Sequence, residues 1–145
     1  MTARSTAAAV VMAAAALMQP SWAQDASGAR LDPAQVGIAV YPGASADAGV
    51  TTLLRESLKL TAAAYRTSDG VEKVAAFYAR QPGVSKMPGA TREQAGFSAG
   101  CKDEYNKYMK MNVQKCGYHV TIQNPWMDMK TGKMVSDTLI SIARQ

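Results

Sequence analysis

Apolar and polar residues alternate most cleanly between Cys116 and Ile142, CGYHVTIQNPWMDMKTGKMVSDTLISI. Tyr118, Val120 and Ile122 fall on one face of a strand and His119, Thr121 and Gln123 on the other, because β side chains repeat with a period of two. Thr138, Ile140 and Ile142 repeat the pattern on the return, and Lys130-Thr131-Gly132-Lys133 lies between with a glycine able to take positive φ. These signals predict an antiparallel hairpin. A helix is predicted upstream. Thr67-Ser68-Asp69-Gly70 supplies its N-cap, with Asp69 and Glu72 spaced as a capping box, and Val71, Val74, Ala75 and Tyr78 recur at helical spacing with Phe77 widening the stripe. Arg80 suits the negative end of the helix dipole, and Pro82-Gly83 stops the helix.

The other segments speak less clearly. Tyr41-Pro42-Gly43-Ala44, entered from Val36–Val40, predicts a type II turn, since proline presets φ and glycine accepts the positive value. Ala44 to Val50 reads as a loop of small residues. From Thr51 to Arg66 two patterns compete: Leu53, Leu54 and Leu58 would line a helix, whereas Leu58, Leu60, Ala62 and Ala64 alternate, and a strand from Leu54 to Thr67 is preferred. Val84 to Gly100, rich in Gly, Pro and Ala, predicts a long loop with a short element around Phe97. For Lys102 to Lys115 the spacing of Tyr105, Tyr108, Met109 and Asn112 favours a short helix or irregular excursion, the alternative being a strand over MKMNVQK.

A chain of 145 residues, 48% hydrophobic, is enough for one domain with one core. Part of the apolar content sits elsewhere. Residues 1–23 carry Arg4 as their sole charge, an apolar run from Ala7 to Met18, and then Pro20-Ser21-Trp22-Ala23, the arrangement of a secretory signal peptide cleaved after Ala23. The run is short for a bilayer span and has no successor, so no integral membrane segment is expected after cleavage. Residues 24–35 are small, polar and unpatterned and predict a flexible N terminus, leaving 36–145 as the domain. The expected location is periplasmic or secreted. Cys101 and Cys116, an even pair in an exported chain, predict a disulfide, worth about 3 kcal/mol over such a loop in the chain-entropy account. A catalytic Cys116 thiol beside His119 would instead need a free thiolate in an oxidising space. Setting Arg4 aside, 15 basic residues face 11 acidic ones, and six lysines lie between Lys102 and Lys133. That excess reads as a solvated face with weak attraction for anionic lipid or cell-wall polymer. No nucleic-acid partner is expected, for want of a dense Arg patch with interleaved aromatics.

Val40-Tyr41-Pro42-Gly43-Ala44, the stretch Tyr65-Arg66-Thr67-Ser68-Asp69, the helix Glu72-Lys73-Val74-Ala75-Ala76-Phe77-Tyr78 and the closing hairpin together resemble small exported bacterial domains that open on a YPGA turn. The resemblance covers most of the chain after residue 23 and implies a fold and a compartment. It implies no activity. The cysteine-clipped segment departs from the simplest form of that pattern.

Candidate chemistry is sparse. There is one histidine, no nucleophile elbow around any serine, no phosphate loop and no zinc spacing. Met109 and Met111 form one MxM pair and Met127 and Met129 another, with Met134 across the predicted turn. The set His119, Trp126, Met127 and Met129 is similar in residue type to small periplasmic copper and silver chaperones that use His, Trp and MxM, thioether and imidazole being fit ligands for Cu(I). It departs from them in spacing, since Trp126 directly precedes Met127 and a regular strand would point the two apart. Packing is the competing account of the methionines, and core or rim positions that of Tyr41, Tyr65 and Tyr78. The expected architecture is α+β: an antiparallel sheet of about four strands, one main helix on one face, and one disulfide. The expected role is a non-catalytic envelope binding module, taking a small ligand or an envelope protein through Val84–Gly100 or the clipped segment. A Cu(I)/Ag(I) carrier and a small hydrolase using His119 are the alternatives.

Overall fold

The structure is a computed structural model that describes residues 31–144. The expected signal peptide, 1–23, lies outside the described residues, as do residues 24–30 of the segment expected to be flexible. The rest of that segment is folded. Leu31 is buried and its amide donates to the Ala62 carbonyl, and Pro33–Val36 form a 3₁₀ turn capped by the Asp32 carboxylate, which accepts from the Ala34 N–H.

The elements run β1 (Ser45–Ala46), α1 (Ala48–Glu56), β2 (Ala62–Thr67), α2 (Val71–Ala79), β3 (Val84–Lys86), β4 (Gln94–Asn106), β5 (Met111–Gln123), β6 (Trp126–Asp128), β7 (Lys133–Val135) and β8 (Thr138–Arg144). Six strands form one antiparallel sheet in the order β1-β2-β8-β5-β4-β3, and β6 and β7 form a separate hairpin. The architecture is thus mixed helix and antiparallel sheet as expected, with six strands rather than about four and a second α-helix. The additional strands come from segments whose glycines, alanines and lysines carry little β signal on their own.

The predicted C-terminal pairing holds: Val120 lies opposite Ile142 and Ile122 opposite Ile140. Gly132, at φ +68, turns the chain with the Asp128 carbonyl accepting its N–H, and closes β6 on β7 inside the larger hairpin. Phe97, Val120, Ile142 and Ala63 stand opposite one another in a row across four strands, each at most 2% exposed. Helix α2 covers this row with Val71, Val74 and Tyr78. Residues one step away point to the other face, where Ala64 and Leu139 pack with Trp126, Val50, Leu54 and Val135, so α1 and the small hairpin cover the reverse side. The sheet is a filled layer between two unequal covers.

Four local expectations are corrected. Ala44 to Val50 is not all loop, because the Asp47 carboxylate accepts from the Val50 N–H and starts α1 there. The strand expected from Leu54 is a helix to Glu56 and a strand only from Ala62. The loop expected over Val84–Gly100 contains β3 and the first half of β4, with Ala95, Phe97 and Ala99 buried on alternate positions. Lys102–Lys115 is neither helix nor irregular excursion: β4 and β5 pair through Tyr105 opposite Asn112, and the Asn106 carboxamide oxygen accepts from the Tyr108 and Met109 amides to close the turn. The disulfide joins Cys101 to Cys116, which face each other across the two strands. The YPGA turn is as expected, with Gly43 at φ +80 and the Ala44 amide donating to the Tyr41 carbonyl.

Tyr78 sits at the centre of an aromatic chain, its ring 5.1 Å from Phe77 and 6.0 Å from Phe97. Its hydroxyl is buried without a hydrogen-bond partner among the described residues. Burial raises the phenol above its ordinary range, and the nearby Tyr41 backbone offsets that only in part. An unmet buried hydroxyl costs about 1–3 kcal/mol, more than an ordinary hydrogen bond contributes, and the nearby Tyr41 backbone recovers part of it, so Tyr78→Phe is expected to leave stability unchanged or raise it by up to about 1 kcal/mol. Urea unfolding measures this, and a loss of more than about 1 kcal/mol would mean that the hydroxyl is satisfied after all.

Candidate functional site

Helix α2 carries two stripes. Val71, Val74 and Tyr78 face the sheet, while Glu72, Ala75, Ala76 and Ala79 repeat at the same helical spacing one position round. Because three of these four are alanines, the helix does not reach the segment that follows β3. The result is a half-open groove of about 800 Å³ between α2 and residues 86–97. Its buried floor is Val71, Ala95 and Phe97, its helical wall includes the alanines, and the exposed charges of Glu72, Lys86 and Arg92 also line it. Lys86 is the register partner of Phe97 and so shares the face that looks into the groove.

The groove is held by backbone rather than by chance contacts. On one side the Met87 amide donates to the Gly96 carbonyl and the Thr91 amide to the Gln94 carbonyl, while the Thr91 hydroxyl accepts from the amides of Glu93 and Gln94. On the other side, Asp69 fixes the start of α2. The expected capping box is absent: Gly70 is the N-cap, with no side-chain bond, and Asp69 instead accepts from the Tyr41 hydroxyl at 2.7 Å and from Lys73 at 2.9 Å. Its carbonyl accepts from the Thr138 hydroxyl, which in turn accepts from Asn124. Helix, turn and sheet end are thus tied at one residue.

A second polar centre lies on the reverse face. Arg66 donates through Nε and one terminal nitrogen to Asp137, places the other 3.5 Å from Asp47, and stacks 5.4 Å above the Trp126 ring. The Asp137 hydrogen bond is the main cause that holds the guanidinium above its ordinary pKa. Asp137 also accepts from the Trp126 indole N–H, and Asp47 caps α1. Every nitrogen of Arg66 is engaged by residues that seat α1 and the β6–β7 hairpin on the sheet, which makes this cluster a brace. An open basin of about 650 Å³ and a half-open groove of about 600 Å³, the latter lined by Val50, Leu53, Trp126 and Val135, flank it, and a small pocket of about 120 Å³ lies under α1.

The residues picked out for metal do not converge as a set of four. His119 lies in β5 between Ser98 and Ala143, four residues or about 13 Å along the strand from Gln123. Trp126 is buried, with Arg66 already in the cation position over its ring. Met127 and Met129 are exposed on the β6–β7 hairpin, where Met127 pairs with Met134. Among the described residues no group of three or more His, Cys, Asp or Glu gathers to hold a metal ion. Ser98, the hydroxyl nearest in register to His119, donates to the Ser85 carbonyl. Tyr41 and Tyr78 are core residues and Tyr65 half-buried.

The sequence points to Val84–Gly100 as a binding segment but singles out none of Lys86, Arg92 or Ala95, because it reads there as a loop; the alternation Ala95, Phe97, Ala99 was the available signal for the strand. No protein family, curated protein or solved structure matches this chain.

Tyr41 first, and Lys73 second, hold the Asp69 carboxyl below its ordinary value of 3.8. A carboxyl depressed in the folded state adds stability above its unfolded pKa and loses it as pH falls through the folded one. Wild-type stability should therefore drop between about pH 5 and pH 2 more steeply than that of Asp69→Asn, the two converging at the acid end. Urea midpoints across that range measure it; parallel curves would mean that the network does not favour the carboxylate.

Proposed function

We propose that this chain is a non-catalytic binding module of the extracytoplasmic space, taking an elongated apolar ligand with an anionic end in the groove beside α2. The groove itself carries the proposal. Its volume of about 800 Å³ lies within the span of known small-molecule sites, about 300–1,000 Å³, and it pairs an apolar floor with a few convergent charges. The apolar part of a ligand would be driven in by loss of its hydration, at roughly 25 cal/mol per Å² buried. Lys86 and Arg92 would hold the anionic end, with Glu72 disfavouring a second negative charge. The disulfide, together with the signal-like N-terminal sequence, supports an oxidising compartment. Among the described residues no helix is long and apolar enough to cross a membrane.

Titration with a fluorescent long-chain fatty acid tests this. Saturable binding is expected, reduced at least about tenfold in Lys86→Gln/Arg92→Gln, since each charge-assisted contact is worth about 1.5–3 kcal/mol. Ala76→Phe, at an exposed position, should fill the groove and abolish binding without lowering the melting temperature. Absence of saturable binding, or binding indifferent to both variants, would set the proposal aside.

Thioether binding of Cu(I) or Ag(I) is a second proposal, favoured by one observation. Met127 and Met134 face each other across β6–β7, and Met129 lies on the same hairpin, all more than half exposed. Soft ligands so placed suit these ions without His119 or Trp126. Titration with Cu(I) against a competing chelator should show stoichiometric binding that vanishes in Met127→Leu/Met134→Leu; binding no tighter than the chelator's would retire it.

A further inference from the structure

The sheet does not end where its pairing ends. β3 leaves β4 at Ala99 and β8 leaves β5 at Tyr118, yet β4 and β5 run on together to Asn106 and Met111. Beyond the Cys101–Cys116 bond they form a free two-stranded arm, five residue steps or about 17 Å long. The arm ends in Lys107-Tyr108-Met109-Lys110, with Tyr108 98% and Met109 61% exposed. Tyr105 and Met111, just behind, are also more than half exposed. Large apolar side chains held out on a turn need something to cover them.

We infer that this tip is a membrane-surface contact, seating Tyr108 and Met109 at the headgroup boundary of an anionic bilayer with Lys107 and Lys110 on the phosphates. Charge placement favours a lipid surface. The tip has two cations and no acid, whereas the arm's two acids, Asp103 and Glu104, lie midway along it, Glu104 3.4 Å from Lys115, and Lys102 pairs with Lys115 at the base. The outermost turn is therefore purely positive, as contact with an anionic plane requires. The residue types fit too: Tyr sits at the interface with its ring in and its hydroxyl out, and Lys extends an apolar stem with its charge in water. A second copy of the chain fits less well. A four-residue convex turn offers a small part of the roughly 800 Å² per partner that a stable protein interface buries, and lysines along both arm strands discourage strand addition. The disulfide at the base holds the two strands together, so the tip is presented with little left to order on contact.

The test is vesicle co-sedimentation of the protein as recovered from an exporting host, every variant sharing the same N terminus so that this segment cancels. Binding to phosphatidylcholine vesicles containing about 30% phosphatidylglycerol should exceed binding to phosphatidylcholine alone by at least about tenfold, each lysine near such a surface being worth about 1 kcal/mol. Lys107→Glu/Lys110→Glu should remove that excess, and Tyr108→Ser/Met109→Ser should weaken what remains. Lys130→Glu/Lys133→Glu, the same charge change on the β6–β7 hairpin at the other end of β5, should bind as wild type. All these positions are exposed, and matched circular dichroism melts confirm that the variants fold. Equal binding to neutral vesicles, equal loss in the far-end control, or no loss in the Tyr108/Met109 variant would each overturn the inference. So would a lipid-free dimer abolished by the tip variants, which would assign the tip to a second copy.

Discussion

The row Phe97, Val120, Ile142 and Ala63 is the constraint on which the rest of the structure depends. Four strands distant in sequence must arrive in one register for these side chains to share a face, and sliding any strand by one residue would send its partners to the opposite side. Once the row is set, its neighbours have no choice. Ala64 and Leu139 must look the other way, which is why α1 and the β6–β7 hairpin close the reverse face while α2 closes the first. The Arg66 brace and the Asp69 network then serve the same end on opposite faces. The brace spends two carboxylates, Asp47 and Asp137, and the network one, Asp69, on joining elements that the sheet alone would leave loosely attached.

How much of this was legible depended on whether a residue's signal was local. The β5–β8 pairing could be read because Tyr118, Val120 and Ile122 alternate within five residues, and α2 because Val71, Val74 and Tyr78 repeat within eight. β4 could not, although Ala95, Phe97 and Ala99 alternate as strictly. Glycine and alanine have weak strand preference, and only the partners Val120 and Ile122, more than twenty residues away, make a strand of them. Tyr105, Tyr108 and Met109 misled in the opposite direction. Helical spacing normally marks a buried face, and here the residues are solvent-facing, so the spacing recorded no packing at all. Asp69 offered a correct residue for an incorrect job: it stands where a cap would be, but the Tyr41 hydroxyl and Lys73 compete for it and win.

The candidate site was less legible than the fold. Grooves are made by what side chains lack, and Ala75, Ala76 and Ala79 carry no chemistry that draws attention. Lys86 and Arg92 acquire meaning only when β3 pairs with β4 and brings them over Phe97. The methionines and Trp126 were conspicuous for the opposite reason, being reactive types close in sequence. Strand geometry separates them, sending Trp126 inward to Asp137 and Arg66 and Met127 outward to Met134. Proximity along the chain is a poor guide to proximity in space wherever side chains alternate.

The glycine between sheet and arm has a consequence for how the arm is aimed. Ala99 pairs with Tyr118 and Cys101 with Cys116, but Gly100 between them takes φ +63. That value lies outside the extended range of a strand, so the arm joins the sheet through a local bend rather than as one straight rod. A side chain at position 100 would be strained by that φ and would crowd the Tyr118 ring at 3.3 Å, so the direction in which the arm leaves the sheet depends on a residue with no side chain.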